Sequence, residues 1–167
     1  MNSIIESNLL TLQKSKLLLK KLSNDELKDA SVSPYFSSIG SHIRHICDFY
    51  YCSLNFNERG VVDLTYRNRD LSVEGCCDLA ICYINKIEDK LKTLDDNLNL
   101  QIVVIDNLGM GNIEMKYTYA ALLSQTNSHT IHHYAIIGYI LDSLNINFED
   151  VDFGYNPTTP KPLNNFN

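Results

Sequence analysis

Between residues 2 and 23, Ile5, Leu9, Leu12, Leu19 and Leu22 recur at three- and four-residue steps or their multiples, while Lys14, Lys16, Lys20 and Lys21 fill other positions. That spacing gathers the apolar groups on one side of a first amphipathic helix. The stretch from Ser23 to Ser38 breaks the pattern with Asn24, Asp25, Pro34 and several serines, and Ser37 or Ser38 offers an N-cap to a second helix over about 38–54. Residues 55–71 carry no sustained period and read as a long loop ending at Asp70 or Ser72. A third helix over about 72–94 lines up Val73, Cys77, Ile81, Ile84, Ile87 and Leu91, and stops near Asp95, Asp96 and Asn97. Two β-favouring runs follow, LNLQIVVID and NIEMKY, separated by Asn107, Gly109 and Gly111, the pattern of a hairpin. Residues 118–144 then hold no proline and one glycine, and predict a long fourth helix that Pro157, Pro160 and Pro162 keep from continuing into the tail.

Four long helices with one loop and one inserted hairpin predict an all-α chain, a four-helix bundle whose facing stripes form the core. A length of 167 residues fits a single domain over 1–167, with 145–167 as an irregular tail.

Charge narrows the partners. Fourteen basic against 20 acidic residues leave a formal charge of −6, which repels phosphate backbones and anionic headgroups, so neither nucleic acid nor a membrane surface is expected. The segment MNSIIESNLL has no basic run followed by a sustained apolar core, and no stretch approaches the roughly 20 apolar residues that span a bilayer, which predicts a cytoplasmic protein. Cys47, Cys52, Cys76, Cys77 and Cys82 show no paired CxxC spacing and read as small core residues in a reducing compartment.

The five histidines fall in two short clusters, His42 with His45, and His129 with His132 and His133. On the fourth helix the line Leu122, Thr126, His129, His133, Ile136, Ile140, Leu144 advances by threes and fours, which places His129 and His133 on the core-facing stripe one turn apart. Two imidazoles at that spacing can bind one ion, and metal binding removes the cost of about 1–3 kcal/mol for each unpaired buried polar group. The third ligand should come from the second helix, whose apolar face is Ile39, Ile43, Ile46 and Tyr50. His42 lies at the edge of that face and His45 one step further round beside Phe49, so periodicity leaves both open. His132 flanks the stripe as a further outer partner or surface group.

The stretch SIGSHIRHICDFY, from Ser38 to Tyr50, resembles the S-[IV]-G-x-x-x-x-H-x-x-D motif of DinB/YfiT-like proteins, and SHTIHHYAII, from Ser128 to Ile137, resembles their HxxxH motif on a late helix. The resemblance extends over most of the chain in helix order. It implies a bundle holding one divalent ion, with nickel, zinc, iron and manganese varying between members, in a site of three histidines that map onto His45, His129 and His133. It also implies frequent homodimers and, among characterised relatives, S-transfer with low-molecular-weight thiols.

Three neutral ligands leave the ion its charge and an open position, as in catalytic sites. The expected function is therefore a divalent-metal-dependent enzyme acting on a small molecule, by thiol S-transfer or, in the alternative, by hydrolysis. A non-catalytic metal-binding bundle would instead close its shell with His42 or His132. Arg67 and Arg69, in the loop sequence TYRNRD, are candidates to clamp a substrate carboxylate, unless they pair with Asp63, Asp70 or Glu74. No phosphate-binding loop, dinucleotide fingerprint or nucleophile elbow occurs.

Overall fold

The structure, a computed structural model, describes residues 2–94 and 97–160. The predicted helix stop at Asp95 and Asp96, and the tail beyond Pro160 with Pro162, lie outside the described residues. The elements run α1 (Ser3–Leu19), α2 (Asn24–Lys28), α3 (Ile39–Ser53), β1 (Val61–Asp63), α4 (Ser72–Gly75), α5 (Cys77–Lys92), β2 (Gln101–Asn107), β3 (Asn112–Thr118) and α6 (Tyr119–Ser143).

Three of the long helices begin at side-chain caps. Asn2 Oδ1 accepts from Ile4 N at 2.9 Å, Ser38 Oγ from Ser41 N at 3.0 Å and Thr118 Oγ1 from Ala121 N at 3.1 Å, each cap contributing about 1 kcal/mol. Between the two serines offered by the sequence, Ser38 is the cap. Helix α1 packs on α5 and α6, and α3 packs on the same two. Their common core is built from Ile5, Leu12 and Leu19 of α1, Ile43, Ile46 and Tyr50 of α3, Ile84 and Leu91 of α5, and Leu122 and Ile137 of α6. Buried polar groups are matched across it: Tyr50 Oη donates to Asn8 Oδ1 at 2.7 Å, Ser53 and Thr126 share a bond of 2.9 Å, and Tyr134 Oη donates to the Thr11 carbonyl at 2.7 Å. Among the described residues no helix is long and apolar enough to cross a membrane.

The chain is thus mainly helical with one small sheet; the described residues form six helices where four were predicted, with α2 in the stretch read as a break, and three further departures bear on the site. The loop expected over 55–71 contains β1, which runs parallel to β2 with Val62 opposite Val104, so the predicted hairpin of β2 and β3 grows into three strands in the order β1-β2-β3. Three residues are too few to show a period. The single helix expected over 72–94 is broken at Cys76, whose backbone is extended, and Asn24 Oδ1 caps the new start by accepting from Cys77 N at 2.9 Å.

The third departure concerns the phase of α6. Leu122, Thr126 and Ile140 of the predicted stripe are buried, but through the middle of the helix the buried line runs Leu123, Thr126, Thr130, Tyr134, Ile137 and Leu141, and His129 and His133 stand half-buried at its edge. The polar residues are admitted because their bonds are met locally: Thr126 Oγ1 donates to Leu122 O and Thr130 Oγ1 to Thr126 O, both at 2.9 Å.

Candidate metal centre

Helices α3 and α6 face each other, and their histidines meet at that seam. His45 Nε2 lies 2.9 Å from His129 Nε2, and His133 Nε2 lies 3.2 Å from the same nitrogen. One donor atom from each of the three falls within 4.8 Å of the others. Ligands at about 2.0–2.1 Å around a tetrahedral ion stand about 3.3 Å apart, so the triangle has the size a first-row divalent ion requires. Its donors are also short of partners. One nitrogen, His129 Nε2, faces two others, and three imidazole nitrogens meeting at one point have no arrangement of protons in which each is bonded to both its neighbours. An ion with three lone pairs directed at it satisfies all of them, and the residues fit the group.

Between His42 and His45 the structure distinguishes roles. His45 turns Nε2 into the triangle, whereas His42 Nδ1 stands 2.9 Å from His133 Nδ1 and its Nε2 stands 2.9 Å from Ser37 Oγ. A His133 that ligates through Nε2 carries its proton on Nδ1 and donates it to His42, which donates in turn to Ser37. Such an outer chain fixes the tautomer and the ring plane of a ligand. Ser37, read from the sequence as a cap, therefore belongs to the site. His132 is exposed, with its ring 5.4 Å from that of His133, and supplies no nitrogen to the cluster. Phe49 packs its ring 4.5 Å from His129, a contact the sequence hinted at only by placing Phe49 beside His45.

Burial, followed by the positive charge of Arg67, pushes His45 down to about 3 and His129 to about 4. Burial and then the neighbouring His45 and His129 push His133 to about 2. All three rings are neutral at pH 7, the form that donates a lone pair to a metal.

The loop between β1 and α4 covers the site. Asp48, fully buried on α3, pairs with Arg44 Nη1 at 2.6 Å and accepts from the backbone N of Arg69 at 3.1 Å. Cys52 Sγ donates to Tyr66 O at 3.1 Å. These two anchors flank Arg67 and lay its side chain over α3, where Nη1 lies 2.7 Å from His45 Nδ1. Arg69 contributes its backbone, with φ at +52° and an exposed side chain that reaches none of the histidines in a hydrogen bond. Burial raises the Cys52 thiol to about 11 and Cys47 further, so neither is a thiolate at neutral pH.

Fold and site together define a mainly helical protein with three converging imidazoles suited to one divalent ion. Among solved structures the fold matches a DinB-like protein, YjoA of Bacillus subtilis, with a TM-score of 0.62 and 23% identity over 89% of this chain and 94% of that one. The chain accordingly has a DinB-like fold. No family model and no curated protein matches the sequence.

Proposed function

We propose that this chain is a divalent-metal-dependent enzyme that acts on a small molecule, with the four long helices serving as a bundle scaffold and His45, His129 and His133 as the ligands. The observation that carries the reading is the triangle of imidazole nitrogens that no fourth His, Cys, Asp or Glu joins among the described residues. A site closed by four protein ligands is structural, whereas three neutral ligands leave room for a reactant. A divalent ion there supplies Lewis acidity, which lowers the pKa of a water or thiol that binds it.

The chain's own residues do the rest. His45, His129 and His133 hold neutral lone pairs in place, His42 and Ser37 keep His133 in the ligating tautomer, and Phe49 shields one side of His129 from water. S-transfer from a low-molecular-weight thiol is the preferred reaction: the sulfur–carbon bond forms as that carbon loses its leaving group, and the thiol proton passes to solvent. The motif resemblance, which implies S-transfer among characterised relatives, favours this choice.

The test is elemental analysis of protein purified without chelator, beside His45→Ala and His133→Ala. About one nickel, zinc, iron or manganese ion per chain is expected in the native protein and little in either variant; equal metal content in all three overturns the reading. Thiol consumption with an aryl halide then separates S-transfer from hydrolysis of an ester, which consumes none.

A further inference from the structure

Arg67 is half-buried against the histidine triangle and has no carboxylate partner among the described residues. The acids that could have served it are engaged elsewhere: Asp63 accepts from Thr65, Asp70 from Ser72, and Asp48 and Glu74 both from Arg44. Arg44 shows what this fold does with a guanidinium it means to neutralise, giving it two carboxylates at 2.6 and 2.5 Å. Arg67 instead has the Leu64 carbonyl at 3.1 Å from Nε, the Phe49 ring 5.9 Å from Cζ, and His45. Its position is fixed from both sides, since residues 66 and 69 are bonded to Cys52 and Asp48 of α3.

Nη1 lies 2.7 Å from His45 Nδ1 and 3.2 Å from its Nε2, close to both nitrogens and so against the ring instead of on the lone pair of either. A guanidinium carries donors alone, and no carboxylate meets this fork among the described residues. A divalent ion held by the three histidines would set two more positive charges beside it. An anion offsets both, and a single planar fork matches a carboxylate in two parallel hydrogen bonds.

We propose that Arg67 is the anion-holding residue of this site, taking the carboxylate of a small acid whose other end reaches the ion. The substrate or co-substrate class is accordingly a short carboxylic acid, a mercapto acid in the case of S-transfer. The inference rests on the three histidines being metal ligands.

Cobalt(II) gives a visible spectrum that reports exogenous ligands without any turnover. Full-length protein and its Arg67→Gln and Arg67→Lys variants are loaded with cobalt and titrated with mercaptoacetate and, as the neutral counterpart, 2-mercaptoethanol. Expected is unchanged cobalt stoichiometry, mercaptoacetate binding weakened about tenfold to a hundredfold in Arg67→Gln, a smaller loss in Arg67→Lys, and 2-mercaptoethanol unaffected. Equal weakening of both thiols, or no weakening of either, overturns the proposal while leaving the metal site intact. Tighter cobalt binding by Arg67→Gln with unchanged mercaptoacetate affinity also overturns it, assigning Arg67 as a cation that competes with the metal. A wild-type chain that takes up no cobalt refutes the three-histidine reading itself, a distinct result.

Discussion

Replacing Gly40 by alanine tests whether the site is held by backbone packing behind α3. Gly40 follows the cap Ser38 and Ile39, and a Cβ there would overlap the carbonyl oxygen of Glu74 and lie 2.8 Å from its carbon and 2.9 Å from its Cα. Ordinary contact begins at 3.4 Å and the oxygen is the nearest atom, so α3 and α4 must part by about 1 Å or more; because both partners are backbone, no rotamer change relieves it. Overpacking of this kind costs about 1–3 kcal/mol or more, and alanine returns at most about 1 kcal/mol through helix propensity. Backbone against backbone puts the cost at the upper end, so the net expectation is a loss of about 2 kcal/mol or more, at least roughly 4–8 °C in Tm for a chain of this size. Displacement of Glu74 also disturbs Arg44, Asp48 and, through Asp48, the loop that carries Arg67. Gly138 of α6 is the control, because nothing lies within 4 Å of a Cβ added there and alanine should be neutral or stabilise by up to about 1 kcal/mol. Urea denaturation of both variants decides it. If Gly40→Ala is as stable as Gly138→Ala, the close approach of α3 and α4 is wrong.

Removing the outer partner of His133 with His42→Ala should weaken metal binding about 10- to 100-fold, measured against a chromophoric chelator; a loss as complete as that of His133→Ala would make His42 a ligand. The pH dependence follows from pKa values of about 3, 4 and 2 for His45, His129 and His133 against about 6.5 in an unfolded chain. The unfolded state takes up protons first on acidification, so metal-free stability is level above about pH 6.5 and falls below it. Urea midpoints at pH 7.5 and 5.5 should differ, and differ less in His129→Ala; identical shifts in the two proteins contradict the burial of that ring. Tyr134→Phe removes bonds to Ser15 Oγ at 2.5 Å and the Thr11 carbonyl at 2.7 Å and should cost about 1–3 kcal/mol in urea without changing metal content. A cost under about 0.5 kcal/mol would mean that the Thr11 carbonyl finds another partner.

Much of this was legible in the chain because the signals are local. Ser38 and the step of four from His129 to His133 each depend on a few adjacent residues, and the boundaries of α1, α3 and α6 fall within a few residues of the reading from periodicity. What was not legible depends on partners distant in sequence. Strand β1 exists because Val61–Asp63 finds β2 some 40 residues later. The middle of α6 differs from the predicted stripe because hydropathy counts Thr130 and Tyr134 as polar, although helix carbonyls and Ser15 satisfy them inside the core, whereas Leu122, Thr126 and Ile140 are buried as read. Periodicity left His45 and His42 open and the motif resemblance mapped the ligand onto His45; the position of α6 supplies the physical reason, since His45 meets the HxxxH pair and His42 stands behind His133. Arg67 became informative once Asp63, Asp70 and Glu74 were seen to be engaged by other groups.

The division of labour between helices and loop has a practical side. All three candidate ligands sit on α3 and α6, while the chain passing over them, residues 64–71, is anchored to α3 through Asp48 and Cys52 on either side of Arg67. Varying residues 65, 67 and 68 while keeping those anchors would change what approaches the centre without touching what builds it. If the centre is catalytic as proposed, exchanging one short surface segment would re-engineer its reactant preference on an unchanged chassis.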